Sequence, residues 1–198
     1  MTIDMQIDII HPKAKYVCGV DINRRGTDET AIVVVMQAPF ASDDNALFVC
    51  YLEATNTQSL PTILGRIKYL HNIFDFEKIY IDSTGIGAGV LDFASISLAG
   101  TVEEVIFTRK SKPEMFYNLL NLFQKGKLKI PNYYNNSDER IKKLFFQLLS
   151  IKREFADDSD IPKISHEEGT HDDFVTALAM ACLYFKTRRN RHYSIVGV

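Results

Sequence analysis

The stretch KYVCGVDI (residues 15–22) is the first of three apolar stretches that decide the fold. It is followed by TAIVVVMQA (30–38) and ALFVCYLEAT (46–55), and all three are rich in residues that favour strands. The polar stretches between them, NRRGTDE (23–29) and PFASDDN (39–45), are typical of turns. Three consecutive strands with short connections predict an antiparallel meander.

The pattern changes after residue 55, where helices and strands alternate. Helical spacing of apolar residues predicts helices over 60–74, 90–98, 113–125, 137–150 and 170–186. Strands are predicted over 78–82 and 102–107, with a late hairpin of 151–155 and 161–166. Ser137 is the expected N-cap of its helix. The sequence therefore predicts an α/β fold with a mixed sheet, three antiparallel strands and then parallel strands, flanked by helices.

Composition indicates an ordinary globular protein. The 198 residues fit one domain, and 23 basic against 25 acidic residues give a net charge of −2. This balance excludes a broadly basic coat that binds nucleic acid by charge alone. Cys18, Cys50 and Cys182 lie far apart among apolar residues, which favours core cysteines in a reducing cytoplasm over a disulfide or zinc site.

Targeting signals are not evident in the sequence. Residues 1–15 lack the apolar core of a signal peptide, and no apolar run approaches the roughly 20 residues of a membrane helix. We expect a soluble, intracellular protein without a membrane partner.

Acidic residues at strand and helix ends are the candidate chemistry of the chain. Asp21 ends the first predicted strand and Asp82 ends the fourth, although aspartate is depleted inside strands. Gly19 shares a strand face with Asp21 and would let another element approach closely. Asp173, Ala177 and Ala181 form a narrow stripe on the last helix, so a helix lying close on the sheet could bring Asp173 near both strand-end acids.

Converging carboxylates without matching cations repel one another, and a divalent cation removes that repulsion. Oxygen ligands favour Mg²⁺ or Mn²⁺ over zinc. Two such ions about 3.5–4 Å apart can activate water and stabilise the leaving oxygen in phosphodiester hydrolysis. Each acid also has a structural interpretation, because aspartate opens turns and stabilises the first turn of a helix.

The glycine-rich stretch STGIGAG (83–89) follows the fourth strand. Its spacing is GxGxG rather than the GxGxxG of dinucleotide-binding domains, and the chain has no Walker A sequence. The stretch is compatible with close approach of a sugar–phosphate backbone, and equally with a tight strand-to-helix turn.

Four segments together resemble the nuclease domain of bacteriophage large terminase subunits. They are GVDINRRGTDETAIVVV (19–35), IYIDSTGIGAGVLDF (79–93), KGKLKIP (125–131) and GTHDDFVTALAMA (169–181). The resemblance implies an RNase H-like fold and an endonuclease that cuts concatemeric viral DNA during genome packaging. It also implies two bound Mg²⁺ or Mn²⁺ ions.

The resemblance assigns roles to the acidic residues by motif. Asp21, Asp82 and Asp173 are the expected catalytic metal ligands. Three further residues are expected near the ions: Asp172, Asp28 and His171. His171 is alternatively a solvent-facing residue before the helix.

The resemblance also implies partners and context. Large terminases carry an amino-terminal packaging ATPase and work with a small terminase subunit and a portal, and the substrate is double-stranded DNA. The expectation here is a single nuclease domain over 1–198, with a leading segment or linker at 1–14 and a flexible tail at 187–198. A virus-encoded protein of this kind acts in the host cell cytoplasm.

Basic residues near the acids are the expected DNA contacts, because lysine and arginine bind phosphates without reading sequence. We predict this role for Arg24, Arg25, Arg109, Lys110 and Lys112. Two alternatives stay open: a resolvase-like nuclease on branched DNA, and a non-catalytic assembly domain of the same fold.

Overall fold

The structure is a computed structural model that describes residues 10–22, 29–38, 46–56, 59–84, 98, 100–131, 138–155 and 161–185. Several predictions fall outside these ranges. They concern the start of the leading segment, the tail, most of the glycine-rich turn and of the helix over 90–98, and the site residues Arg24, Arg25 and Asp28.

A six-stranded mixed sheet forms the centre of the molecule, in the order β5-β4-β1-β2-β3-β6. Its strands are β1 (Lys15–Asp21), β2 (Thr30–Gln37), β3 (Leu47–Thr55), β4 (Lys78–Asp82), β5 (Val102–Val105) and β6 (Leu128–Lys129). The first three form the predicted antiparallel meander, and β4 and β5 extend it in parallel beyond β1. The predicted fold class is confirmed.

Helices cover both faces of the sheet. Helix α1 (Leu60–Phe74) lies on one face, and α2 (Ser111–Gln124), α3 (Glu139–Ser150) and α4 (Asp173–Ala181) lie on the other. A separate antiparallel hairpin, β7 (Ile151–Glu154) with β8 (Lys163–His166), follows α3. In the part of the chain described, no helix is long and apolar enough to cross a membrane.

Several boundaries differ from the prediction by a few residues, and one short strand was not predicted. The last helix begins at Asp173 rather than 170, because the backbone N–H and hydroxyl of Thr170 both donate to the Glu167 carbonyl and close a turn. The N-cap of α3 is Asp138 rather than Ser137, since its carboxylate accepts the Arg140 backbone N–H at 2.9 Å. Strand β6 was not predicted, because two residues carry no periodic signal.

The two-residue period of β1 divides the core between the two faces. Tyr16, Cys18 and Val20 pack with α1, whereas Val17 packs with the helices of the opposite face. All three cysteines are buried and free of disulfides, as expected for core residues.

Gly19 of β1 lies directly against the backbone of α4. A Cβ placed on Gly19 would lie 1.9 Å from the Ala177 carbonyl oxygen and 2.8 Å from the Ala181 backbone nitrogen. Real Cβ atoms do not approach backbone atoms this closely, so any side chain here forces the helix away from the sheet. The close packing predicted from Gly19 and the alanine stripe is therefore present.

Gly19→Ala is expected to destabilise the protein by about 3 kcal/mol, because the methyl group overpacks against helix backbone that cannot rotate away. For a domain of this size that is a fall in Tm of about 6 °C or more. Thermal unfolding measures it directly. Gly65→Ala on α1 is the matched control: among the described residues its Cβ meets nothing within 4 Å, so we expect a gain of about 0.5–1 kcal/mol. Equal Tm values for the two variants would contradict the packing argument.

Candidate metal centre

Asp21 and Asp82 are neighbours at the carboxyl ends of two parallel strands. The register pairs Val20 with Ile81, and one further residue brings Asp21 beside Asp82. Adjacent strands are about 4.8 Å apart, and both acids lie on the sheet face that α4 covers, by the alternation of each strand. The ends of parallel strands are a common position for active sites in α/β sheets.

Asp172 and Asp173 come to the same edge on the amino terminus of α4. Asp173 is the first residue of the helix and is 7% exposed. Asp172 is the N-cap residue, but its side chain makes no capping hydrogen bond to this helix. Its Oδ2 instead accepts a hydrogen bond from Lys112 Nζ at 3.0 Å.

The pKa of Asp21 shows how the acids interact. Burial raises it well above the ordinary value, and the charges of Asp82, Asp173 and Asp172 raise it further. The charge of Lys112 acts in the opposite direction. The four carboxylates therefore share one electrostatic neighbourhood in which, among the residues described, negative charge exceeds positive charge.

Burial also raises the pKa of Asp82. Hydrogen bonds from Thr84 oppose this shift, including its backbone N–H, which donates to Asp82 Oδ1 at 2.8 Å. The same Thr84 ties the turn to the adjacent strand end, since its Oγ1 accepts the Phe107 N–H at 3.1 Å. Asp82 thus opens a turn, as its structural interpretation proposed, while its charge still interacts with the other acids.

The donor set fits a divalent cation in composition. It consists of carboxylates, which are the ligands that Mg²⁺ and Mn²⁺ prefer, and its excess negative charge needs a counter-ion. Within the described ranges, no three His, Cys, Asp or Glu side chains are grouped closely enough to hold a metal ion. The strands and the helix thus bring the acids to one edge of the sheet, but their carboxylates are not close enough to one another to bind one metal ion together. Their role as metal ligands stays a prediction.

Lys112 makes contacts that its sequence context did not indicate. Its ammonium group donates a hydrogen bond to Asp172 and lies 5.7 Å from the ring centres of both Phe107 and Phe116. Its contact with DNA stays a prediction. Its charge lowers the pKa of Asp21 and of Asp82. Sixty residues separate Lys112 from Asp172, so no local signal could have revealed the pair.

The remaining described site residues lie around this edge. His171 directly precedes the acid pair and lines a cavity of about 300 Å³ with residues of α3. Arg109 and Lys110 are exposed in the connection between β5 and α2. Arg109 also lines a cleft of about 450 Å³, whose opposite wall is the β7–β8 hairpin with Lys163. No pattern in the sequence indicates that the hairpin lies beside this loop.

The family follows from a match over most of the chain. A family model described as the terminase RNaseH-like domain matches residues 18–185. The chain belongs to this family. The resemblance seen in the four sequence segments is confirmed. A search of curated protein sequences gave no match.

Solved structures of terminase nucleases have the same fold. The large terminase nuclease from thermophilic phage G20c with bound magnesium has a TM-score of 0.69 at 20% identity, over 87% of this chain and 82% of that chain. The nuclease domain of Thermus phage P74-26 has a TM-score of 0.66 at 21% identity, over 87% and 80%. The nuclease domain of gp2 from bacterial virus Sf6 has a TM-score of 0.64 at 14% identity, over 85% and 87%.

Asp21→Asn is expected to stabilise the metal-free terminase domain at neutral pH. The folded-state pKa of Asp21 lies above the unfolded value of about 3.9, so the stability that Asp21 contributes is present below that value and is lost as pH rises through the folded pKa. Removing the charge should therefore raise the Tm at pH 7, because the burial cost and the repulsion from the neighbouring aspartates are both relieved. Thermal unfolding in EDTA across pH 4–8 measures the gain, which should vanish at the acidic end.

Asp138→Asn provides a control of opposite sign. The Arg140 side chain lowers the pKa of Asp138, so this carboxylate stabilises the fold above its unfolded pKa and the stability is lost as pH falls through the folded value. Its removal should lower the Tm at pH 7. A lower Tm for Asp21→Asn under the same conditions would contradict this prediction. It would show that nearby positive charge outweighs the burial cost and the repulsion from the other aspartates.

Proposed function

We propose that this terminase-family domain is a metal-dependent DNA endonuclease that cuts viral DNA during genome packaging. The observation that supports it most is the shared electrostatic neighbourhood of Asp21, Asp82, Asp172 and Asp173 at the ends of β1, β4 and α4. Asp173 is buried and the other three aspartates are partly buried. Bringing these carboxylates together is costly to folding, and a bound cation would offset that cost.

Each acid has a role in this proposal. Asp21, Asp82 and Asp173 hold two Mg²⁺ or Mn²⁺ ions from the sheet and the helix, with Asp172, Asp28 and His171 in supporting positions. When bound, the ions supply positive charge that stabilises the phosphorane-like transition state and makes water a stronger nucleophile. The side chains fix where that charge lies relative to the phosphate, so no serine or cysteine nucleophile is needed.

The basic residues divide between two tasks. Lys112 orients Asp172 through their hydrogen bond. It also offsets part of the negative charge of the acid cluster, which consists of Asp21, Asp82, Asp172 and Asp173. Arg109 and Lys110 are exposed beside the cluster and bind backbone phosphates of double-stranded DNA. Arg24 and Arg25, in the connection after β1, are proposed to do the same.

The biological context is proposed from the family. The relatives above are nucleases of large terminases by name, which favours a packaging role over a resolvase acting on branched DNA. A packaging ATPase domain, a small terminase subunit and a portal are the proposed partners, with the host cytoplasm as the place of action.

Asp82→Asn is expected to abolish plasmid cleavage in Mn²⁺ or Mg²⁺ while leaving the fold intact. Asparagine keeps an oxygen that can accept the Thr84 N–H, so the turn is retained while the charge is lost. We expect at least a roughly hundredfold loss of rate, because changes beside a metal ligand alone already cost about 10- to 100-fold. Agarose-gel conversion of supercoiled plasmid measures the rate, and circular dichroism checks the fold.

Glu103→Gln is the matched control for this variant, since Glu103 is exposed on the neighbouring strand β5, outside the acid cluster. It should cut like the wild type. A wild-type protein that leaves plasmid intact across both metals would favour the non-catalytic assembly domain. Faster cleavage of a four-way junction than of linear duplex would favour the resolvase.

Replacing both Arg109 and Lys110 with alanine is expected to weaken DNA binding without sequence preference. Removing one phosphate-binding side chain reduces the slope of log affinity against log salt by about 1, so the slope of the double variant should fall by about 2. Fluorescence anisotropy with a labelled duplex at several salt concentrations measures this slope. Lys68→Ala is the control, because Lys68 is exposed on α1, across the sheet; an equal effect there would contradict a localised DNA-binding surface.

A further inference from the structure

Gln147 on α3 joins that helix to the start of α4. Its Oε1 accepts the backbone N–H of Phe174 at 2.8 Å, and the whole residue is only 4% exposed. Phe174 directly follows Asp173, so this hydrogen bond holds the backbone at the point from which the acidic side chains leave the helix. Glutamine is rarely buried this completely unless its amide has a specific partner.

This bond performs the task that an N-cap side chain performs in most helices. The first backbone N–H groups of a helix lack partners within the helix, and the N-cap side chain usually accepts one of them. Asp172 occupies the N-cap position of α4 but makes no such bond, and its carboxylate is directed to Lys112 instead. An acceptor from α3 therefore replaces a local cap, and the Asp172 side chain is available for other contacts.

The amide orientation follows from the same contact. Only the carbonyl oxygen of Gln147 can accept the Phe174 N–H. If the amide were flipped, its NH₂ group would face the Phe174 N–H, and two donors would lie against each other. In this orientation Nε2 is buried and has no hydrogen-bond partner among the residues that the structure describes. An apolar residue of similar volume would avoid the cost of burying an unsatisfied Nε2. The glutamine therefore contributes here through its carbonyl oxygen, which accepts the Phe174 N–H.

A second residue of α3 supports the same junction. Lys143, one turn before Gln147, lies with Nζ 5.6 Å from the centre of the Phe174 ring and also forms an ion pair with Glu29. One row of α3 thus contacts the side chain and the backbone of Phe174. This row fixes the start of α4 relative to the strand-end acids.

We propose that Gln147 is a positioning residue for the metal-binding carboxylates. By supplying the acceptor that α4 needs, it releases Asp172 from capping and fixes the direction in which Asp172 and Asp173 point. This inference rests on the proposed function, because it concerns the same acids. It assigns no contact with metal or DNA to Gln147 itself.

The test compares two substitutions of Gln147 by isothermal titration of the full chain with Mn²⁺ in the absence of DNA. Gln147→Met keeps the approximate volume and removes the acceptor, and we expect the Mn²⁺ dissociation constant to rise about tenfold, as for other residues that orient metal ligands. Gln147→Glu restores the acceptor and should bind Mn²⁺ no more weakly than the wild type. Gln124→Met makes the same chemical change at the exposed end of α2 and should leave the constant unchanged.

The outcomes separate positioning from simple stabilisation. A lower metal-free Tm for Gln147→Met with an unchanged Mn²⁺ dissociation constant would mean that Gln147 is only a cap, and would overturn the inference while leaving the proposed function standing. A wild-type chain that binds no Mn²⁺ would overturn both. If Gln147→Met does not fold, Gln147→Asn withdraws the acceptor by one methylene, and it must show the weaker binding for the inference to survive.

Discussion

The contact between Gly19 and the backbone of α4 determines the geometry of the candidate site. Asp21 lies two residues after Gly19 on β1, which is about 6.6 Å along a strand. Asp173 lies four residues before Ala177 on α4, which is about 6 Å along a helix. The two acids are thus displaced by nearly equal lengths from one common contact, and the charge of Asp173 raises the pKa of Asp21, as expected if both displacements run in the same direction. A helix held further from the sheet would separate them.

The acids differ from the other charged groups in how they are compensated. Glu53 with Arg66, Asp138 with Arg140 and Glu29 with Lys143 form ion pairs. At the strand ends, Lys112 bonds to Asp172 and also lowers the pKa of both Asp21 and Asp82. Lys112 is itself held by Phe107 and Phe116, which limits its movement. Repulsion is therefore concentrated at one edge, and the apolar packing on both faces of the sheet must offset it.

Local patterns predicted most of the fold, whereas partners from distant elements were not predictable. The β1–β3 meander and α1 have strong periodicity of their own, and the convergence of Asp173 with Asp21 followed from Gly19 and the alanine stripe. Strand β6 exists only because Leu47 and Leu128 align across the sheet edge. The Gln147–Phe174 bond had one usable signal, since Gln147 continues the apolar row of Ile141 and Leu144. A polar residue in a buried row requires a partner, but the sequence cannot name it.

The connection between β5 and α2 carries both inward-facing and outward-facing positive charge. Lys112 faces inward to the acids, while Arg109 and Lys110 are exposed two or three residues earlier. One short segment therefore separates a negative interior from a positive surface. Under the proposed function this order is necessary, because phosphates must be attracted to the edge of a cluster whose own charge repels them. The net charge of −2 averages over these two regions, so it carries no information about either one.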